Sequence, residues 1–255
     1  MTQEERRLYL IKYLTEENKE LEEVKIPNEE SGQKRLLRSL MNIRPPKPVS
    51  KEFLEIQDAY LQDERGKIVS LSELEPIDKG IYLWQGDITK LEADGIVNAA
   101  NSALLGCFIP CHGCIDNAIH STAGVQLRLE CARIMEKQGD PEPTGKAKIT
   151  SAYNLPCRYV LHTVGPIVQD RLTRKDCELL EACYTSCLNL AMEYGLKSLA
   201  FCCISTGEFH FPNKKAAEIA VKTVKKFREI NSNAPEVIFN VFKDIDREIY
   251  EGLLK

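Results

Sequence analysis

From Ile81 onward, short apolar runs rich in β-branched residues alternate with stretches of helical periodicity, and that alternation admits only a few folds. The runs are Ile81–Trp84, Gly95–Ala100, Lys146–Tyr153, Tyr159–Val164, Ser198–Ile204 and Val237–Phe242. Helical patterns lie between most of them, at about 116–138, 175–194, 213–230 and 244–254. Strands and helices in this order predict an α/β domain over 76–255, with a mixed sheet covered on both faces.

The preceding residues follow a different pattern. Leu8, Ile11 and Leu14 are helically spaced within 4–14, as are Leu36, Leu37, Leu40 and Met41 within 34–41. Ile43-Arg44-Pro45-Pro46-Lys47-Pro48 cannot continue a helix and reads as a stiff connector. Helical spacing then resumes over 50–63 through Phe53, Leu54, Ile56 and Tyr60. Residues 1–75 are therefore expected to form a helical extension whose amphipathic segments lean on something else.

Composition excludes several classes. With 255 residues, 43% hydrophobic and 28% charged, the chain is long enough for a large core and unlike a disordered or fibrous sequence. Its 34 Lys+Arg against 38 Asp+Glu give a net charge of -4 and no broad attraction to a polyanion. Lys214, Lys215, Lys222, Lys225 and Lys226 read as a solvated helix face, because no aromatic or arginine platform interleaves them, so no nucleic-acid partner is expected. Charge interrupts the N-terminal apolar residues every few positions, unlike a signal peptide, and no run approaches the roughly 18 apolar residues of a membrane span. A cytoplasmic protein with no membrane partner is expected, in which the ten cysteines stay reduced.

In open α/β sheets, ligands bind in the loops beyond the carboxyl ends of strands. Three such loops stand out here: Asn98–Cys114, Ser205–Pro212 and Gly86–Thr89. The first contains Cys107, Cys111, His112 and Cys114, a density of thiol and imidazole that suits tetrahedral zinc, with either three ligands and an open position or Cys111 as a fourth. A rival reading takes Cys111-His112-Gly113-Cys114 as a redox C-x-x-C motif. Asp116 and His120 share a helix face, either as an oriented acid or base near this loop or as an ordinary surface pair. Ser205-Thr206-Gly207-Glu208-Phe209-His210-Phe211-Pro212 could aim backbone N–H groups at a phosphate, or could simply cap the next helix. His162 and the remaining cysteines read as core or incidental.

Gly86-Asp87-Ile88-Thr89, Ile96-Val97-Asn98-Ala99-Ala100-Asn101-Ser102, His162-Thr163-Val164-Gly165-Pro166 and Ser205-Thr206-Gly207 with Pro212 together resemble the ordered motifs of the macrodomains, which bind ADP-ribose. Residues 106–117 also fit the pattern Gly-Cys-Phe-x-Pro-x-His-x-Cys-Ile-Asp-Asn of zinc-dependent microbial macrodomains that reverse protein ADP-ribosylation. The resemblance covers 81–255 and implies a three-layer α/β/α sandwich, with the N-terminal helices outside it. It implies zinc held by Cys107, His112 and Cys114, since the Cys111 position varies in that pattern. It places adenine at Asp87 and Ile88, the diphosphate at the Ser205, Thr206, Gly207, Glu208 and Phe209 backbone, and the distal ribose at Asn101 and Phe209. His210 departs from it, standing where many relatives have glycine.

What the resemblance implies functionally is a zinc-dependent hydrolase that cleaves the ester between an Asp or Glu side chain and ADP-ribose, with Asn101 and Asp116 as catalytic residues. An ADP-ribosylated protein would be its partner, by resemblance a lipoyl-carrier protein modified by a sirtuin-like transferase. A non-catalytic ADP-ribose-binding module and an O-acyl-ADP-ribose deacylase are the alternatives.

Overall fold

In the computed structural model, which describes residues 1–21 and 23–255, the extension supplies α1 (Gln3–Glu16), α2 (Glu30–Ile43) and α3 (Lys51–Glu64). There follow β1 (Val69–Ser70), β2 (Pro76–Asp78), β3 (Ile81–Gln85), β4 (Leu91–Glu92), β5 (Gly95–Ala100), α4 (Ile115–Ala123), α5 (Val125–Gln138), β6 (Ala147–Ser151) and β7 (Tyr159–Val164). The chain ends with α6 (Arg174–Glu193), β8 (Ser198–Phe201), α7 (Asn213–Ile230), β9 (Glu236–Val241) and α8 (Asp244–Leu254). No described helix is long and apolar enough to cross a membrane.

Seven strands form one sheet in the order β2-β3-β9-β8-β5-β7-β6. The five inner strands are parallel and both edge pairings are antiparallel. Of the inner strands, β5, β7, β8 and β9 are buried nearly throughout, which is why Ser198–Phe201 and Glu236–Val241 read as apolar runs rather than as alternating ones. The faces separate along β7. His162 approaches Cys131 of α5, while its neighbour Thr163, on the opposite face of the strand, meets Cys183 and Cys187 of α6. Helices α4 and α5 thus cover one face, and α6, α7 and α8 the other. This is the three-layer sandwich, with β1 and β4 forming a separate parallel pair.

The single helix expected over 116–138 is two. Gly124, at φ +96°, ends α4 with its N–H on the His120 carbonyl and begins α5. Glycine adopts that conformation without steric cost. It has no side chain to cap α5, so the acceptor for the first amide comes from the extension: Gln57 Oε1 takes the Val125 N–H at 3.0 Å. Gln57 is fully buried there.

A reciprocal cap runs the other way. The Arg128 guanidinium of α5, 5% exposed, donates to the carbonyl oxygens of Met41, Asn42 and Arg44 at the end of α2, and through Nε to Leu105. A cation at the C-terminal end of a helix also meets its dipole favourably. The apolar contribution is a second cluster of Leu10, Ile11, Leu14, Leu37, Leu40, Met41, Phe53 and Tyr60, completed by Val125 of the domain. The amphipathic segments of the extension therefore lean on α4 and α5. Arg128→Met should lower unfolding free energy by about 3 kcal/mol, because three helix-terminal carbonyls lose their buried donor. Equilibrium denaturation checks this, and a loss below about 1 kcal/mol would contradict it.

Candidate active site

Because β3, β9, β8, β5 and β7 run parallel, their carboxyl ends open on one side, and a cleft of about 680 Å³ lies there. That is the size range of small-molecule sites. The three loops singled out in the sequence all line it, together with Gly165 after β7 and Phe242 after β9.

At one end, the Asp87 carboxylate caps the turn it begins, accepting from Thr89 N–H at 3.0 Å and Thr89 Oγ1 at 2.8 Å. Asp87 itself is exposed at the cleft wall, while Ile88 beside it is buried. Asn240 Nδ2 donates to the Gly86 carbonyl at 3.0 Å and ties this loop to β9. Phe242, 76% exposed, lines the same end. Sequence reasoning missed it, although its place one residue beyond a parallel strand was the available signal.

The loop after β8 is tightly folded. Phe211 N–H donates to the Ser205 carbonyl at 3.0 Å and His210 N–H to the Gly207 carbonyl at 3.0 Å. Ser205 and His210 both take left-handed backbone, at φ +66° and +55°. At 210 that is a conformation glycine takes without steric cost, and here a histidine holds it. Gly207 has open space where a Cβ would stand, whereas a Cβ on Gly165 would overlap Ser205 Oγ. Gly165 is thus required by its packing against Ser205, while position 207 faces open space at the cleft.

At the other end, Asp116 begins α4 and is 5% exposed. Its Oδ1 accepts from Asn98 Nδ2 at 2.8 Å and its Oδ2 from Asn101 Nδ2 at 3.3 Å. Burial pushes the Asp116 carboxyl up to about 6, against the two amide hydrogen bonds and the Arg128 charge, which favour the anion. Asn98 Nδ2 also meets His162 Nδ1 at 3.1 Å, and His162 Nε2 meets Thr150 Oγ1 at 2.9 Å. His162 is therefore a satisfied core residue, held by burial down to about 4 and neutral. His120 Nε2 lies 3.6 Å from Asp116 Oδ1 in the interior, so their pairing is no surface contact. Burial, followed by His162 and Arg128, holds His120 well below the usual histidine range. Gly106 is needed against that ring, since a Cβ would come within 2.7 Å of its Cγ.

Cys107, His112 and Cys114 converge beside Asp116, with their donor atoms within 4.8 Å of one another. Tetrahedral zinc, with Zn–S of about 2.3 Å and Zn–N of about 2.0 Å, sets sulfur and nitrogen ligands about 3.5 Å apart. Cys107 Sγ and His112 Nδ1 are 3.6 Å apart. The donor set therefore fits the ion. On the other side of the ring, His112 Nε2 stands 3.8 Å from Glu208 Oε1 of the β8 loop. Burial, with the neighbouring Cys107 and Asp116 adding to it, pushes the Cys114 thiol up to about 12. Cys111 turns away: its Sγ lies 3.2 Å from Ser39 Oγ and donates to the Arg35 carbonyl at 3.4 Å. His120, Cys131 and His162 also approach one another, but with both His162 nitrogens already engaged they form part of the core.

Residues 97–220 match the model of the Macro domain family. The chain is 58% identical over 260 residues to a protein-ADP-ribose hydrolase of Treponema medium, covering 100% of both chains. It is 48% identical to the protein-ADP-ribose hydrolase of Staphylococcus aureus (strain MSSA476), covering 95% of this chain and 92% of that one. Among solved structures, the Trypanosoma brucei macrodomain in complex with ADP-ribose superposes with a TM-score of 0.68 at 32% identity, covering 85% of this chain and 95% of the other. The chain belongs to the macrodomain family.

Asn98 is the hinge of the polar network under the cleft. Asn98→Ala should cost about 2–4 kcal/mol, because it strips a donor from buried Asp116 and leaves His162 Nδ1 without its partner. Thermal and denaturant unfolding read the loss, and a near-wild-type midpoint would refute the role.

Proposed function

We propose that this protein is a hydrolase that removes ADP-ribose from modified protein side chains, that its bond of choice is the ester to Asp or Glu, and that it works with zinc. The observation that carries the reading is the far end of the cleft, where a buried carboxylate held by two asparagines stands beside two thiols and an imidazole at metal-binding separation. The names of the Treponema medium and Staphylococcus aureus relatives support the removal of ADP-ribose.

In this reading the ligand lies along the strand ends. Asp87 has its carboxylate fixed by Thr89 and accepts from the adenine amino group, with Ile88 and Phe242 supplying apolar contact. The backbone of Ser205–Phe209 binds the diphosphate, with open space before Gly207 to admit it. Asn101 orients the distal ribose and simultaneously holds Asp116 Oδ2. Asp116 then acts as the base, or orients the water that attacks the ester linkage, taking a proton as the bond to the sugar or carbonyl carbon forms. The donors for the ion are Cys107, His112 and Cys114, and when bound it would supply Lewis-acid polarisation and a template at the distal ribose. Glu208 stands where it can accept from the outer nitrogen of His112, an arrangement that orients metal-bound imidazoles.

Two measurements test this on a protein carrying mono-ADP-ribose on acidic side chains. Asp116→Asn should lower the rate of ADP-ribose release about 100-fold or more while calorimetry still shows ADP-ribose binding. If the wild type binds but releases nothing catalytically, the chain is a reader and the hydrolase reading fails. Separately, chelation or Cys114→Ala should abolish release, with added zinc restoring only the chelated wild type. Full activity in folded, metal-stripped protein would remove zinc from the mechanism.

A further inference from the structure

Helix α2 lies outside the matched family region, yet it is bonded to the metal loop at successive points. Arg38 Nη2 donates to the His112 carbonyl oxygen at 3.2 Å. The same guanidinium donates to Asn117 Oδ1, from Nη2 at 2.7 Å and from Nε at 3.2 Å. Asn117 is fully buried, and its Nδ2 donates to the Ile109 carbonyl at 3.0 Å while its backbone N–H points to Cys114 Sγ at 3.4 Å. One turn along α2, Asn42 Oδ1 accepts the Cys111 N–H at 2.8 Å and Asn42 Nδ2 donates to Ser121 Oγ at 2.9 Å. Arg38 and Asn42 are four residues apart and so share a helix face.

These contacts fall where the loop is hardest to hold. Cys111 adopts left-handed backbone at φ +52°, which a non-glycine residue occupies only when its surroundings impose it. The following residue is His112, and Cys114 is three further on from Cys111. A loop that presents ligands to an ion binds it in proportion to how well those ligands are held beforehand, and partners behind the ligands supply that hold. These contacts span 69 to 79 residues of sequence, so the hold depends on α2 being docked.

We infer that α2 belongs to the metal site: Arg38 and Asn42 are positioning residues that keep His112 and Cys114 at coordinating separation, so the N-terminal extension sets how tightly the loop binds a divalent ion. The inference rests on the assignment of Cys107, His112 and Cys114 as metal ligands, and it stands apart from the choice of substrate.

The test uses the full chain, stripped of metal, with zinc affinity measured by competition against a chromogenic chelator and ligand geometry read from the absorption spectrum of the cobalt-substituted protein. The wild type should bind zinc and Cys114→Ala should lose it. Arg38→Met should weaken zinc binding by about 10–100-fold and alter the cobalt spectrum, with Arg38→Lys intermediate. Asn42→Ala should weaken binding in the same direction and stands in should Arg38→Met not fold. Leu14→Ala, a cavity in the same helical cluster, should lower the melting temperature yet leave zinc affinity and the cobalt spectrum as in the wild type. Wild-type affinity in both Arg38→Met and Asn42→Ala overturns the inference while leaving the metal assignment intact. An equal loss in Leu14→Ala also overturns it, by showing that general loosening explains the effect. A wild type that binds no zinc overturns the metal assignment and the inference with it.

Discussion

The Arg128 guanidinium is the interaction on which the arrangement turns. Helix ends leave carbonyls that need donors, and at the buried end of α2 water cannot supply them. A single planar cation answers Met41, Asn42 and Arg44 together, and its Nε reaches Leu105 in the loop after β5. It also lies over the Phe108 ring, 4.2 Å from the centroid, and its charge opposes the desolvation of Asp116. Burial lowers its own pKa to about 10, still well above neutrality, so the fork stays charged. One side chain thereby joins the extension, the Cys107–Cys114 loop and the carboxylate of the cleft.

The electrostatics behind the cleft are correspondingly sparse. Two buried histidines are neutral, and Asp116 shares the interior with amides rather than with a cation at contact distance. Amide donors orient a carboxylate without fully quenching it, as a guanidinium salt bridge would. The carboxylate is therefore both fixed in direction and available to a proton.

Much of this architecture was legible because it is written locally. Parallel strands buried on both faces must be apolar runs, and the three loops at their carboxyl ends stand out by composition. Cys107, Cys111, His112 and Cys114 lie within eight residues, so spacing could suggest a thiol–imidazole cluster, but only the resemblance singled out the three that converge. The break at Gly124 was hidden because apolar periodicity continues from Ile119 through Leu127 and one glycine is compatible with a helix. Strands β1, β2 and β4, of two or three residues, carry too little pattern to read. Nor could spacing reveal Arg38 against His112, Asn98 beneath Asp116 or Gln57 on α5, since only the tertiary fold brings those partners together. The extension itself was legible as helices, but its bearing on the site was not.

The exchange of caps between α3 and α5 and between α5 and α2 has an evolutionary corollary. Each segment terminates the other's helices, and the small apolar cluster of the extension is completed by Val125. A recombination event that grafted either segment onto a foreign neighbour would strand amides and carbonyls on both sides of the joint. A chain bearing only one of the two segments would need another way to finish the exposed helix ends.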